Sequence, residues 1–203
     1  MSSDLHSKTK QPKNMNLSAM IKIALLVAIG VILKLYETPP LFAGFLKLDF
    51  GDVPAAIGAI SLGPWAAVII ELLKEIIKVI IKNDTGGIGE LASFTVSITY
   101  MIPLGVICGN KKTIPRFITG AAVGTVCMVI AGSVLNYFFF LPMYAAFYGT
   151  PIDTIIGMGT KFNASITDMK TLIMFAVAPF NLFKAVIISI VGYFLYRLLR
   201  RAL

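Results

Sequence analysis

Ala178-Pro179-Phe180-Asn181-Leu182-Phe183-Lys184 lies inside an apolar run, 171–200, that is long enough to cross a bilayer as one helix. It interrupts that run with a proline, an amide and an ammonium. Asn181 and Lys184 are three residues apart and share a helical face, and neither side chain finds water in hydrocarbon. Their burial calls for a partner, within the protein or in a ligand. Pro179 lacks an amide donor and so frees backbone polar groups at the same depth.

Working outward, the rest of the chain has the same character. Only 14% of its 203 residues are charged, 57% are hydrophobic, and the mean hydropathy is +0.85, against about 25% charged residues in soluble domains. These values describe an integral membrane protein, all-α, built as one bundle. Hydropathy predicts six helices, at about 17–35, 53–62, 64–82, 89–109, 115–141 and 171–200. The second is too short to span alone, and Gly63-Pro64 separates it from the third. Residues 1–16 are polar and Lys-rich and read as a disordered cytoplasmic tail ahead of a single membrane domain, 17–203. The first run is long for the apolar core of a signal peptide, and Glu37-Thr38-Pro39-Pro40 offers no small-residue cleavage site, so it is read as a retained helix.

Basic residues set the expected orientation. Lys8, Lys10, Lys13 and Lys22 flank the start, Lys111, Lys112 and Arg116 the turn at 110–114, and Arg197, Arg200 and Arg201 the end. With an even helix count all three clusters fall on the cytoplasmic side. The connections 36–52, 83–89 and 142–170 are then outside, and the last is long enough to act as a lid. The net charge of +8 is explained by this orientation rather than by nucleic acid, because the basic residues sit at helix ends and are not interleaved with aromatics on a soluble face.

Several chemistries are disfavoured. Cys108 and Cys127 sit singly in apolar stretches, without a CxxC or Cys/His cluster, so no metal is expected. The only histidine, His6, is in the tail, and no Ser or Cys has a base beside it. No catalysis and no cofactor are expected. The chain has no GxxxxGK[ST] phosphate loop, so active uptake would need an external ATPase.

Four further features carry polar chemistry. In Lys47-Leu48-Asp49-Phe50-Gly51-Asp52-Val53-Pro54, alternation suggests a short extended piece, Asp52 is placed to cap the next helix, and Asp49 is either a solvated carboxylate or a ligand contact. Glu71, Lys74, Glu75, Lys78 and Lys82 recur at spacings of three and four, a stripe that must face protein or a cavity; an internal ion-pair network is the first reading and substrate contact the second. Thr85-Gly86-Gly87-Ile88-Gly89-Glu90-Leu91-Ala92 gives a flexible turn with Glu90 in the first turn of a helix, serving as a dipole partner or meeting a ligand over glycine backbone. Asn136, in Gly132-Ser133-Val134-Leu135-Asn136-Tyr137, joins Asn181 and Lys184 as an intramembrane polar set. Interhelical hydrogen bonding explains one such Asn. Two amides and an ammonium, ringed by Phe138, Phe139, Phe140, Tyr144 and Phe180, also suit a flat heteroaromatic with carbonyl and ring-nitrogen acceptors.

Taken together, Lys47 to Pro54 with Gly63-Pro64, the Gly86-Gly87-Ile88-Gly89-Glu90-Leu91 turn, Asn136 with Leu141-Pro142-Met143-Tyr144, and Ala178 to Lys184 resemble the riboflavin-specific S components of energy-coupling factor (ECF) transporters, over nearly the whole chain. The resemblance implies a six-helix protein of the prokaryotic plasma membrane, multi-pass, that binds riboflavin near its outer face and delivers it by docking on a coupling protein, EcfT, and two ATPases. It implies that Asn136, Asn181 and Lys184 hold the isoalloxazine edge, that Leu46, Asp49, Glu90 and Tyr144 close around ring and ribityl chain, and that Ala24 and Ala28 form the docking face on the first helix. Small residues four apart permit close helix packing, so packing within the bundle is the alternative for that pair and for Gly120-Ala121-Ala122-Val123-Gly124. The competing functions are an ion-coupled carrier or membrane enzyme that uses the Glu71 to Lys82 stripe as a relay, and an S component for a different vitamin.

Overall fold

The computed structural model describes residues 17–109 and 111–201, and the expected tail and His6 lie outside the described residues. Among the described residues the chain is all-helical, with no strand and one isolated bridge, Phe42 to Leu46. Seven helices follow in order: α1 (Leu17–Leu35), α2 (Asp52–Ser61), α3 (Pro64–Ile81), α4 (Ile88–Cys108), α5 (Ile114–Tyr148), α6 (Ile152–Phe162) and α7 (Met169–Leu199). Four of them, α1, α4, α5 and α7, are long and apolar enough to cross a membrane.

Seven helices replace the six expected from hydropathy, and the difference lies in 142–170. The fifth helix runs on to Tyr148, and α6 occupies part of what the sequence presents as a long loop. At 11 residues with Asp153 in its first turn and Lys161 in its last, α6 is too short and too polar to span a bilayer. It is amphipathic, burying Ile155 and Gly159. Ile155 joins a satellite cluster with Ala43, Leu141, Ile166, Leu172 and Ala176. This cluster ties α6 to the 36–51 segment and to the start of α7, which is opened by a capping box between Asp168 and Thr171.

The ten-residue α2 is the centre of the bundle. Every residue from Asp52 to Ile60 is buried, and the helix packs against α1, α3, α4 and α7, as an all-round apolar helix must. Around it, glycines bring helices close. A Cβ on Gly105 of α4 would stand 2.7 Å from the Pro64 nitrogen that starts α3, and one on Gly124 of α5 would stand 2.7 Å from the Tyr100 carbonyl of α4. The Gly120 to Gly124 stretch is therefore intramolecular packing.

The third helix is built inside out. Its charged residues Glu71, Lys74, Glu75 and Lys78 are buried, while Leu72, Leu73, Ile76 and Ile80 are exposed. This is the arrangement expected where the surroundings are lipid and the interior carries the polar work. α5 and α7 each contain one wide π turn, at Asn136–Phe140 and Ile173–Val177. Both end just before a proline, Pro142 and Pro179. The Leu141 and Ala178 amides reach back five residues, to the Asn136 and Ile173 carbonyls, which accommodates a ring that cannot donate.

Candidate functional site

A cavity of about 690 Å³ opens among α1, α4, α5, α6 and α7, under the 36–51 segment. That size suits a small-molecule site. All seven residues singled out from sequence for ligand contact, Leu46, Asp49, Glu90, Asn136, Tyr144, Asn181 and Lys184, line it. They come from three helices and one connection.

The two asparagines sit at the π turns or one turn beyond. The Asn136 Nδ2 donates to the Gly132 carbonyl at 2.7 Å and the Asn181 Nδ2 to the Val177 carbonyl at 2.9 Å. Each amide thus anchors itself to its own helix, four residues back, rather than bridging two helices as an interhelical reading supposes. An amide carries two N–H donors and a carbonyl, so one donor is spent and the rest of the group remains for the cavity it lines. Gly132 makes room for this: a Cβ there would lie 2.6 Å from the Asn181 Nδ2.

Lys184 is buried, and its ammonium is 2.8 Å from an Asp52 oxygen. Asp52 is where sequence reasoning and structure part. Gly51 is the N-cap residue of α2, with no side-chain cap bond, and Asp52 lies inside the helix with its carboxylate taken by Lys74, Lys184 and the Ser97 hydroxyl, the last at 2.6 Å. Charged donors bind a buried carboxylate more strongly than a single backbone amide does, so the capping role gives way.

The Glu71 to Lys78 stripe forms an internal ion-pair network. The Lys74 ammonium pairs with Asp52, with Glu71 at 2.7 Å and with Glu75 at 3.2 Å. Asp52, Glu71 and Glu75 approach one another as metal ligands would, but the cation among them is Lys74. Lys78 pairs with Glu90 at 2.6 Å, and the Thr85 hydroxyl donates to the second Glu90 oxygen at 3.0 Å. Glu90 is thereby fixed in the first turn of α4, behind Gly87 at φ +84°, a backbone state that glycine adopts without strain. Lys82, at the end of the stripe, is exposed and pairs with Asp84 at 3.0 Å. The hydrogen-bonding Lys82 ammonium holds the Asp84 carboxyl below its ordinary value.

Lys34, which the sequence reading passed over, is part of the site. Its ammonium bonds Asp49 at 3.2 Å and Ser93 at 2.9 Å and lies 3.4 Å from Glu75. It joins α1 to the segment that roofs the cavity. A lysine near the far end of the apolar run 17–35, well away from Lys22 at its start, was the available signal. Asp49 is also held by the Gly51 amide at 2.8 Å. The aromatic ring around the cavity is smaller than expected. Phe138 and Phe139 are exposed, Phe140 is in the core, and of the five expected aromatics only Tyr144 and Phe180 line the space, joined by Phe45 and Tyr148, which the sequence did not single out. A helix turns about 100° per residue, so three consecutive phenylalanines cannot share the face that carries Asn136.

Residues 18–196 match the family model described as ECF transporter, substrate-specific component. The chain belongs to this family. Members are substrate-specific components of transporters, not enzymes, and the apolar helices make this one a membrane protein. It is 32% identical over 181 residues to the riboflavin transporter RibU of Staphylococcus aureus strain TCH60, covering 88% of each chain. It is 28% identical over 180 residues to the riboflavin transporter FmnP of Bacillus subtilis strain 168, covering 87% of this chain and 89% of the relative. A solved S component of a bacterial ECF transporter superposes with a TM-score of 0.71 at 31% identity, over 90% of this chain and 95% of that one.

Proposed function

We propose that this S component binds riboflavin in the cavity and delivers it across the plasma membrane by docking on EcfT and two ATPases. The observation that carries this reading is the convergence of the seven residues on one cavity of about 690 Å³, in a chain similar to riboflavin transporters over most of its length. Isoalloxazine is planar, neutral and rimmed by carbonyl and ring-nitrogen acceptors beside one ring N–H. Asn136 and Asn181 offer both donors and acceptors, and Lys184 offers donors only. These three hold the ring edge, while Leu46, Asp49, Glu90 and Tyr144 surround the ring and ribityl chain. Detergent-purified protein is expected to copurify with a flavin absorption spectrum and, once stripped, to quench riboflavin fluorescence on titration. Binding of another vitamin without flavin binding would reassign the substrate.

In this reading both termini are cytoplasmic and the cavity opens outward, the orientation that the Lys and Arg clusters favour. Ala24 and Ala28 are exposed on α1, so their small side chains are free for a partner helix rather than used within the bundle. Ala24→Leu is expected to leave riboflavin affinity within about twofold and to reduce copurification with EcfT, since an added side chain holds facing helices apart. Unchanged complex formation would discard the docking face. The carrier alternative finds less support: Glu71 and Lys74 are fully buried and paired to each other, the arrangement of an internal brace.

A further inference from the structure

We propose that Asp52 is a positioning residue for the substrate: it aims the Lys184 ammonium at the cavity and balances that group's charge. The inference rests on the riboflavin reading and goes beyond it, because Asp52 does not line the cavity.

The case is built on who holds Asp52 and whom it holds. It is fully buried at the start of α2, the helix that touches α1, α3, α4 and α7. Lys74 of α3 holds its Oδ1. Its Oδ2 accepts the Ser97 hydroxyl of α4 at 2.6 Å and lies 2.8 Å from the Lys184 Nζ of α7. All three partners are buried; Lys74, which does not line the cavity, and Ser97 fix the carboxylate in direction. The third, Lys184, is a four-carbon chain with many rotamers and a head group at the cavity wall. A lysine ammonium has three donors; one directed to Asp52 defines where the remaining two point. The pairing has a second effect. An ammonium neutralised by an adjacent carboxylate presents directed N–H groups rather than a bare positive charge, which suits the carbonyl oxygens of an uncharged ring.

A purely structural Asp52 would join α2 to its neighbours and affect binding only by loosening the fold. A double-mutant cycle separates the two roles. Riboflavin dissociation constants and melting temperatures are measured for wild type, Asp52→Asn, Lys184→Ala and the double variant. Asp52→Asn is expected to weaken binding on the order of tenfold or more while Lys184 is present, the scale of a misdirected charged hydrogen bond. With Lys184 already removed, the same substitution should change affinity by no more than about twofold, as expected of an effect routed through that lysine. The absorption bands of bound flavin should shift in the same direction in Asp52→Asn and Lys184→Ala, since one misdirects and the other removes the same contact. Equal losses in the two backgrounds would overturn the proposal. If Lys184→Ala alone leaves affinity unchanged, the assignment of Lys184 to the riboflavin site fails as well. If Lys184→Ala weakens binding and Asp52→Asn does not, the positioning role fails by itself. Should Asp52→Asn not fold, Ser97→Ala removes one of the donors that fix the carboxylate, and the cycle is run with it: coupling to Lys184 supports the proposal and additivity overturns it.

Discussion

Lys184→Ala weakens riboflavin binding by about 10- to 100-fold, in the expected outcome, with only a small loss of thermal stability. The magnitude follows from a hydrogen bond between a charged donor and a buried acceptor, worth about 1.5–3 kcal/mol. Stability is spared because Asp52 retains Lys74 and the Ser97 hydroxyl after the ammonium is gone, so no buried carboxylate is abandoned. Fluorescence titration of the stripped protein beside a melting curve tests this directly. A melting temperature that collapses along with affinity would make the lysine a structural element instead. Asn181→Ala should behave in the same way, since its amide donates only to the Val177 carbonyl of its own helix among the described residues.

Lys74→Met should do the reverse and abolish a stable fold. Its ammonium is fully buried and shared by Asp52, Glu71 and Glu75. Removing it leaves Glu71 without its cation and Asp52 and Glu75 with only Lys184 and Lys34 beside them, an undercompensated buried charge that costs about 3–5 kcal/mol, comparable with a large part of the stability of an ordinary domain. Monodisperse yield in detergent should fall sharply, and adding Glu71→Gln to Lys74→Met should recover part of it by removing one of the stranded charges. A Lys74→Met protein as monodisperse and heat-resistant as wild type would mean that the network contributes nothing to the fold.

Much of this architecture was legible because lipid makes deviations conspicuous. An amide or ammonium in a run such as 171–200 is rare and costly, so Asn181 and Lys184 announced themselves, as did Asn136 and the Glu71 to Lys78 stripe. The opposite holds for α6, whose Asp153 and Lys161 are ordinary in an amphipathic helix and therefore read as loop. Asp52 had a sufficient local explanation as a helix cap, and only the meeting of α2, α3, α4 and α7 reveals its stronger partners. Lys34 stands at the end of a span, where a lysine ordinarily reaches toward the interface and draws no notice, yet this one turns inward to Asp49, Glu75 and Ser93. The π turns leave no composition signal beyond the prolines that follow them.

The inverted third helix bears on how the protein is made. A segment with Glu71, Lys74, Glu75 and Lys78 on one side carries ionic residues that each oppose membrane entry by about 2.5–3.5 kcal/mol when a helix partitions by itself. Their counter-ions lie partly on earlier segments, Lys34 on α1 and Asp52 on α2, and partly on a later one, Glu90 on α4, while Lys184 of α7 joins the network through Asp52. The stripe on α3 is therefore neutralised in stages along the chain, partly by α1 and α2 and completely only when α4 is in place.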